Sequence, residues 1–355
     1  MAHPQSFVLL DPQRRPGGGT RTLAEHKTTQ IVKQFRDAIS NGKIEEAVHW
    51  SGELVVSGSV WQIWDTLFAI TALYYYNHRQ MVVYMLDRYK RFRQAAANMA
   101  DIELRNLGMV RSIIAEAAAV LASGDRRFKA TRTPVADEMF ALDHLRPRLR
   151  APTRDLARPY ILDDDPPEAA MCANEFAHAL TTQRLGDAQF WVEWIVALQR
   201  RCTKQKQPCV CGIRGTPSMA PKLRTTPSLL LWHVLRGVAA SSPKLDTTVA
   251  AWEALYLVKY SGRVNTTRAM LLLAATFAVC NRTTLIPTLP VANTRLVPAV
   301  ISGLPKIYER LAKQCGLECV TEAAPPNAAE AGAERAAQGT RLLQLLTPTR
   351  RPRTG

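Results

Sequence analysis

Apolar positions recur at helical spacing along the stretch Phe35–Trp64. Ile44, Ala47, Val48, Ser51 and Leu54 follow the i, i+3, i+4, i+7 period of a helix with one buried face. Asn41-Gly42 breaks the pattern before them and Ser57-Gly58 after them, so the stretch predicts helix, tight turn, helix, turn, helix. Trp50, Trp61 and Trp64 supply large apolar bodies for a core.

The same pattern returns later in the chain. Phe35 is followed by Ala38, Ile39, Ile44, Ala47 and Trp50, and Phe176 is followed at the same offsets by Ala179, Leu180, Leu185, Ala188 and Trp191. A glutamate comes next in both, Glu53 and Glu193, shifted by one position. Downstream, Val110–Ala122 (VRSIIAEAAAVLA) parallels Thr267–Val279 (TRAMLLLAATFAV). Self-similarity of this kind predicts a duplicated helical unit whose copies stack to bury their faces. The plainer alternative is that two unrelated amphipathic hairpins share small and large residues at these spacings.

The fold class expected is all-α, with two similar multi-helix halves in a solenoid- or collar-like arrangement and disordered termini. Residues 1–22, with Pro16-Gly17-Gly18-Gly19, read as a disordered arm. Residues 23–130 form the first half, with Thr22 as an N-cap and Gly42 as a stop. Residues 131–160 are a Pro/Arg-rich linker, and residues 161–320 the second half, opened by a basic insertion at 200–226. Arg282–Val300 reads as loop, Leu304–Gln314 as a last short helix, and 321–355 as a disordered basic tail.

The formal charge of +16 changes this picture most, because it calls for an acidic partner. Nucleic acid, an acidic protein surface and an anionic membrane surface all qualify, and an arginine-rich composition would raise the charge without any partner. No apolar run is long enough to span a bilayer. No secretory leader is read, and seven cysteines in 355 residues do not make a disulfide scaffold. The expectation is reduced thiols in an intracellular compartment.

Three segments carry candidate chemistry. Arg146, Arg148, Arg150, Arg154 and Arg158 crowd the linker, where guanidinium forks suit phosphate oxygens; a solvated linker is the competing reading. Lys204, Lys206 and Arg214 extend the basic candidate surface into the insertion. The same insertion holds Cys202, Cys209 and Cys211, three of the four ligands that a structural zinc wants. Cys172, His233 or the pair Cys315 and Cys319 would supply the fourth. The spacing matches no standard knuckle, and a redox pair or incidental thiols remain open.

Two other clusters read as structure. Asp163-Asp164-Asp165-Pro166-Pro167-Glu168 is a helix start, with Asp165 as cap, Pro166 first in the helix and Glu168 reaching back. The basic, aromatic stretch Met81–Asn98 is better read as an amphipathic helix with Tyr84, Met85, Tyr89 and Phe92 inward than as a base-stacking platform. The chain contains no phosphate loop, dinucleotide fingerprint, His-Glu-x-x-His or nucleophile elbow, which lowers the expectation of an enzyme.

AISNGKIEEAVHWSGELVVSG, EMFALDHLRPRLRAP, DDPPEAAMCANEF and FWVEWIVALQRRCTKQKQPCVC, in that order, resemble a conserved, largely uncharacterised family of nucleocytoplasmic large DNA viruses. That family takes in an iridovirus immediate-early protein and its phycodnavirus and giant-virus homologues. The resemblance covers roughly residues 30–280 and brings no catalytic residue with it. It implies a virus-encoded protein acting in genome replication, expression or virion assembly, with Cys202, Cys209 and Cys211 as family features. The first hairpin alone also resembles the helical collar of clamp-loader-related ATPases, without their phosphate loop.

The leading expectation is a non-enzymatic viral factor that binds nucleic acid or a nucleoprotein complex. The alternatives are a virion structural or assembly protein that contacts other viral proteins, and an enzyme such as a nuclease.

Overall fold

A computed structural model describes residues 7–97, 99–124, 129–217, 219–258, 266–282 and 296–321. The chain opens with strand β1 (Phe7–Leu10) and helices α1 (Thr28–Ser40), α2 (Ile44–Val56), α3 (Val60–Tyr74), α4 (Arg79–Ala95) and α5 (Gly108–Ser123). It continues with the short α6 (Leu142–Leu145), α7 (Pro167–Thr181), α8 (Leu185–Lys204), the short α9 (Pro221–Arg224) and α10 (Pro227–Ala239). It closes with α11 (Pro243–Leu257), α12 (Thr266–Cys280), α13 (Leu296–Cys315) and strand β2 (Glu318–Thr321). The all-α expectation holds, with one addition: β1 and β2 pair antiparallel, Phe7 opposite Thr321 and Leu10 opposite Glu318.

The two alanine-rich segments are the hubs. In α5, Val110, Ile113, Ile114, Ala115 and the whole run Ala117–Ala122 are buried, and in α12 so is Ala269–Cys280. A helix apolar on nearly every side belongs inside, and its short alanines let neighbours come close. α5 packs against α1, α2, α3 and α4, while α12 packs against α7, α8, α10 and α11. Within each set the first two helices form a hairpin, and the third leans on both of them and on the fourth. The sets meet where α3 lies on α12 and α4 on α11, and α13 covers α2 and α5.

The two hairpin turns share their backbone chemistry. Lys43 N–H donates to Ala38 O at 2.9 Å, and Arg184 N–H donates to Ala179 O at 2.8 Å. Gly42 and Gln183, one residue earlier, both take the left-handed conformation, φ 74° and 55°. This is the Schellman ending, with its left-handed residue just past the helix. The second helix of each hairpin then buries a glutamate that anchors the incoming segment. Glu53 accepts from Thr22 Oγ1 at 2.7 Å and contacts His26 Nδ1 at 3.0 Å. Glu193 takes both forks of Arg132 at 2.6 Å.

Several sequence expectations are corrected. From Phe7 onward the amino-terminal arm is ordered: β1 is paired, and Arg15 donates to Cys315 O at 2.6 Å and to Asp11. Residues 1–6 and 322–355, expected to be disordered, lie outside the described residues. The first helix starts at Thr28, not after Thr22, because residues 22–26 close a turn instead, with Glu25 N–H donating to Thr22 O at 3.0 Å and Thr22 N–H to His26 O at 2.8 Å. The last helix begins at Leu296 and runs through Pro298 and Pro305. Pro298 falls in the first turn, whose N–H groups have no helical partner to lose. Met81, Met85, Tyr89 and Phe92 do face inward, and the half-buried Tyr84 donates to Glu116 at 3.1 Å.

Gly52 shows how tightly α13 seats. A side-chain carbon there would sit 2.9 Å from Leu311 Cδ1 and close to Tyr308. Among the described residues, no helix is long and apolar enough to cross a membrane.

Candidate nucleic-acid interface

Residues 131–160 are irregular because Pro134, Pro147, Pro152 and Pro159 interrupt any helix, yet α7 and α8 hold them in place. Arg132 is forked onto Glu193, whose side chain is 2% exposed. Trp194 Nε1 donates to Met139 O at 3.1 Å, and the Phe140 and Trp194 rings lie 5.2 Å apart. Glu175 accepts the backbone N–H groups of Arg150 at 2.7 Å and Ala151 at 3.0 Å. Asn174 donates to Thr153 O at 2.7 Å and accepts from Ala157 N–H at 3.3 Å. Buried polar side chains of two helices thus satisfy backbone groups of the linker, as burial demands. The linker is a fixed surface layer.

This layer presents arginine. Arg150 Nη1 lies 3.0 Å from the Asp187 carboxylate, Arg184 Nε 2.8 Å and Arg148 Nη1 3.9 Å. The Arg148 guanidinium also stacks over the Phe190 ring, 4.7 Å from its centre. All three guanidinium groups are about 40% exposed, whereas Asp187 is 15% exposed. Three cations around one carboxylate leave excess positive charge facing solvent. One aspartate orients the forks and an aromatic ring flattens one of them, which is the presentation that phosphate oxygens select.

The sequence-derived residues do not all join this cluster. Arg146 is exposed in the same short turn as Arg148. Arg154 and Arg158 are exposed farther along the linker, where the turn Arg158–Tyr160 packs on α10. Lys204 and Lys206 are exposed at the far end of α8, about 30 Å from Arg184 at ~1.5 Å per residue. Arg214 is not available at all. It is buried, paired with Asp165, and donates to Tyr160 O at 3.0 Å and Gly212 O at 3.0 Å. Arg184 and Asp187, which complete the cluster, escaped the sequence reading. Their i, i+3 spacing beside the turn was the signal.

Asp165 also departs from its expected role. Helix α7 starts at Pro167 with Pro166 before it, and no side chain caps it. The Asp165 carboxylate instead accepts from Leu162 N–H at 2.8 Å, Gly212 N–H at 2.9 Å and Arg214. Burial alone would raise its pKa, but Arg214 and these N–H donors outweigh burial and hold it below the ordinary value.

The candidate zinc ligands differ in their surroundings. Cys211 is buried, and burial and the nearby Asp165 carboxylate push its thiol up to about 12. Cys202 and Cys209 are free thiols of intermediate burial. The Cys172 thiol is directed at Trp191 O, 3.5 Å away. Among the described residues, no group of three or more histidine, cysteine, aspartate or glutamate side chains is placed to hold a metal ion.

An open groove between α2 and α13 is lined by Ile44, His49, Trp50, Val300, Ile307 and Arg310. Burial lowers the His49 pKa, and its ring packs edge-on against Trp50. No protein-family model, curated protein or solved structure matches the chain.

Proposed function

We propose that this chain is a non-enzymatic factor that binds the phosphate backbone of nucleic acid, alone or within a nucleoprotein complex, through the arginine face of the linker and α8. The observation that supports this reading is the convergence of Arg148, Arg150 and Arg184 on Asp187 beside Phe190. Backbone contact of this kind positions a protein without reading sequence. A role in viral genome replication or expression within the infected cell belongs to the same proposal and rests on the segment resemblance given above. We also infer that α1–α5 and α7, α8, α10, α11 and α12 descend from one duplicated unit. The matched Schellman turns and the buried glutamate in each hairpin support that history.

Anisotropy of labelled duplex DNA and single-stranded RNA, titrated with the full chain, tests the function. Affinity is expected to fall tenfold or more between about 50 and about 200 mM salt if several phosphates are contacted. No binding to either probe at low salt overturns the proposal. Displacement of both probes by equimolar polyglutamate would instead assign the surface to an acidic protein.

A further inference from the structure

The groove between α2 and α13 has a volume of about 950 Å³, in the range of sites that bury a ligand. It lies on the Ile44 side of Gly52, where α13 seats tightly on α2. Ile44 and Trp50 on α2 and Val300 and Ile307 on α13 are half-buried apolar residues along its walls. Lys306 and Arg310 stand exposed on the α13 wall, and Glu45 and Glu46 on the α2 wall. At Gly303 the groove is open, since a side-chain carbon there would meet nothing within 4 Å.

The chain beyond β2 departs from close by. Gly316, in the left-handed conformation at φ 62°, reverses the chain after α13. Strand β2 then runs back along that helix. Its Thr321 pairs with Phe7, whose ring centre lies 6.1 Å from that of Tyr308, about two turns before the end of α13. Residues 322–355 follow, and their large apolar residues are Leu342, Leu343, Leu345 and Leu346, in a sequence otherwise polar or rich in alanine. Residues 322–341 span up to about 66 Å when extended and about 25 Å as a flexible chain. Val300 is only about 12 Å along the helix from Tyr308. The leucines can therefore reach the groove of their own chain.

We propose that the segment Leu342–Leu346 of the same chain occupies this groove as a helical turn. Leu342, Leu345 and Leu346 share the i, i+3, i+4 face by which short helices anchor in apolar grooves. Ile44, Trp50, Val300 and Ile307 receive that face. The flanking charges are complementary. Arg341, next to the leucines, suits Glu45 and Glu46, while Glu330 and Glu334 suit Lys306 and Arg310. Covalent attachment favours this occupant over a separate partner, because a tether of such length holds the leucines at an effective concentration of about a millimolar. Docking also brings Arg350, Arg351 and Arg353 to within a few residues of the groove. This proposal does not depend on the phosphate-binding reading.

Limited trypsin digestion of the full chain tests it. The Arg341–Leu342 bond borders the docked turn, and the Arg350–Arg351 bond lies beyond it. Leu345→Asp combined with Leu346→Asp is expected to speed cleavage at Arg341 about tenfold or more, with cleavage at Arg350 unchanged. Gly303→Trp, which fills the groove where there is open space, is expected to do the same. A rate at Arg341 that stays at the wild-type value in either folded variant overturns the proposal. So does wild-type protection of Arg341 that grows between about 1 and about 50 µM protein, because it assigns the groove to the leucines of a second copy. Should Gly303→Trp not fold, a photo-crosslinking side chain in place of Leu343 decides. Cross-links into α2 or α13 of the same chain support the groove, and their absence overturns it.

Discussion

The guanidinium of Arg214 and the carboxylate of Asp165 meet almost completely out of water, with side chains 2% and 0% exposed. They join the start of α7 to the basic insertion. Asp165 also accepts the Leu162 and Gly212 N–H groups, so its oxygens are satisfied as well as paired. An ion pair so deep persists only when its geometry and hydrogen bonds offset desolvation.

Removing either partner strands the other. Arg214→Ala and Asp165→Ala are each expected to cost about 3–5 kcal/mol, measured by urea unfolding, and the double variant less than the sum of the two. The pH dependence has a definite sign. The folded pKa of Asp165 is depressed, so its contribution is present above the unfolded value of about 4 and is lost as pH falls through the lower folded value. Wild-type stability should therefore decline at acid pH more steeply than that of Asp165→Asn.

The linker should detach when its anchor is cut. Glu193→Ala leaves the Arg132 fork without its carboxylate partner. Tryptic cleavage between residues 131 and 160 is expected to accelerate tenfold or more at a temperature where α7 and α8 remain folded. Equal cleavage rates in wild type and variant would show that Glu175 and Asn174 suffice.

The two hairpin turns offer an exchange experiment. Gln183 occupies a left-handed position that its counterpart Gly42 fills without strain. Gln183→Gly is expected to raise stability by about 0.5–1 kcal/mol, and Gly42→Gln to lower it by about 1–2 kcal/mol. Thermal melts of the two variants check both signs.

Charge removal separates the proposed interface from general basicity. Arg148→Ala, Arg150→Ala and Arg184→Ala combined should reduce the log–log salt slope of nucleic-acid binding by up to about 3, near one for each lost phosphate contact. Lys204→Ala with Lys206→Ala, at the other end of α8, should change it less. An equal change from both sets would mean that net charge, not the cluster, carries the binding.

Helical periodicity gave the hairpins, the hub helices and the inward face of α4, because each depends on which neighbours three or four positions apart are apolar. Asn41-Gly42 and Ser57-Gly58 marked their turns for the same local reason: Gly42 and Gly58 take positive φ. Turn residues without that chemistry were not legible. Gln183 and Lys206 adopt left-handed backbone only because the packed helices require it.

What tertiary structure alone decided concerns partners distant in sequence. Asp165 is a local capping residue by sequence, and Arg214 a free cation. Their pairing exists only because the insertion folds back onto the start of α7. The same holds for β1 with β2, for Arg132 with Glu193, and for the arginine cluster. Composition showed that arginine was abundant, but only the path of the linker over α8 brings Arg148 and Arg150 to Asp187 and Arg184. Local preference is written in neighbouring residues, whereas the destination of a charged side chain depends on which surfaces the whole chain brings together.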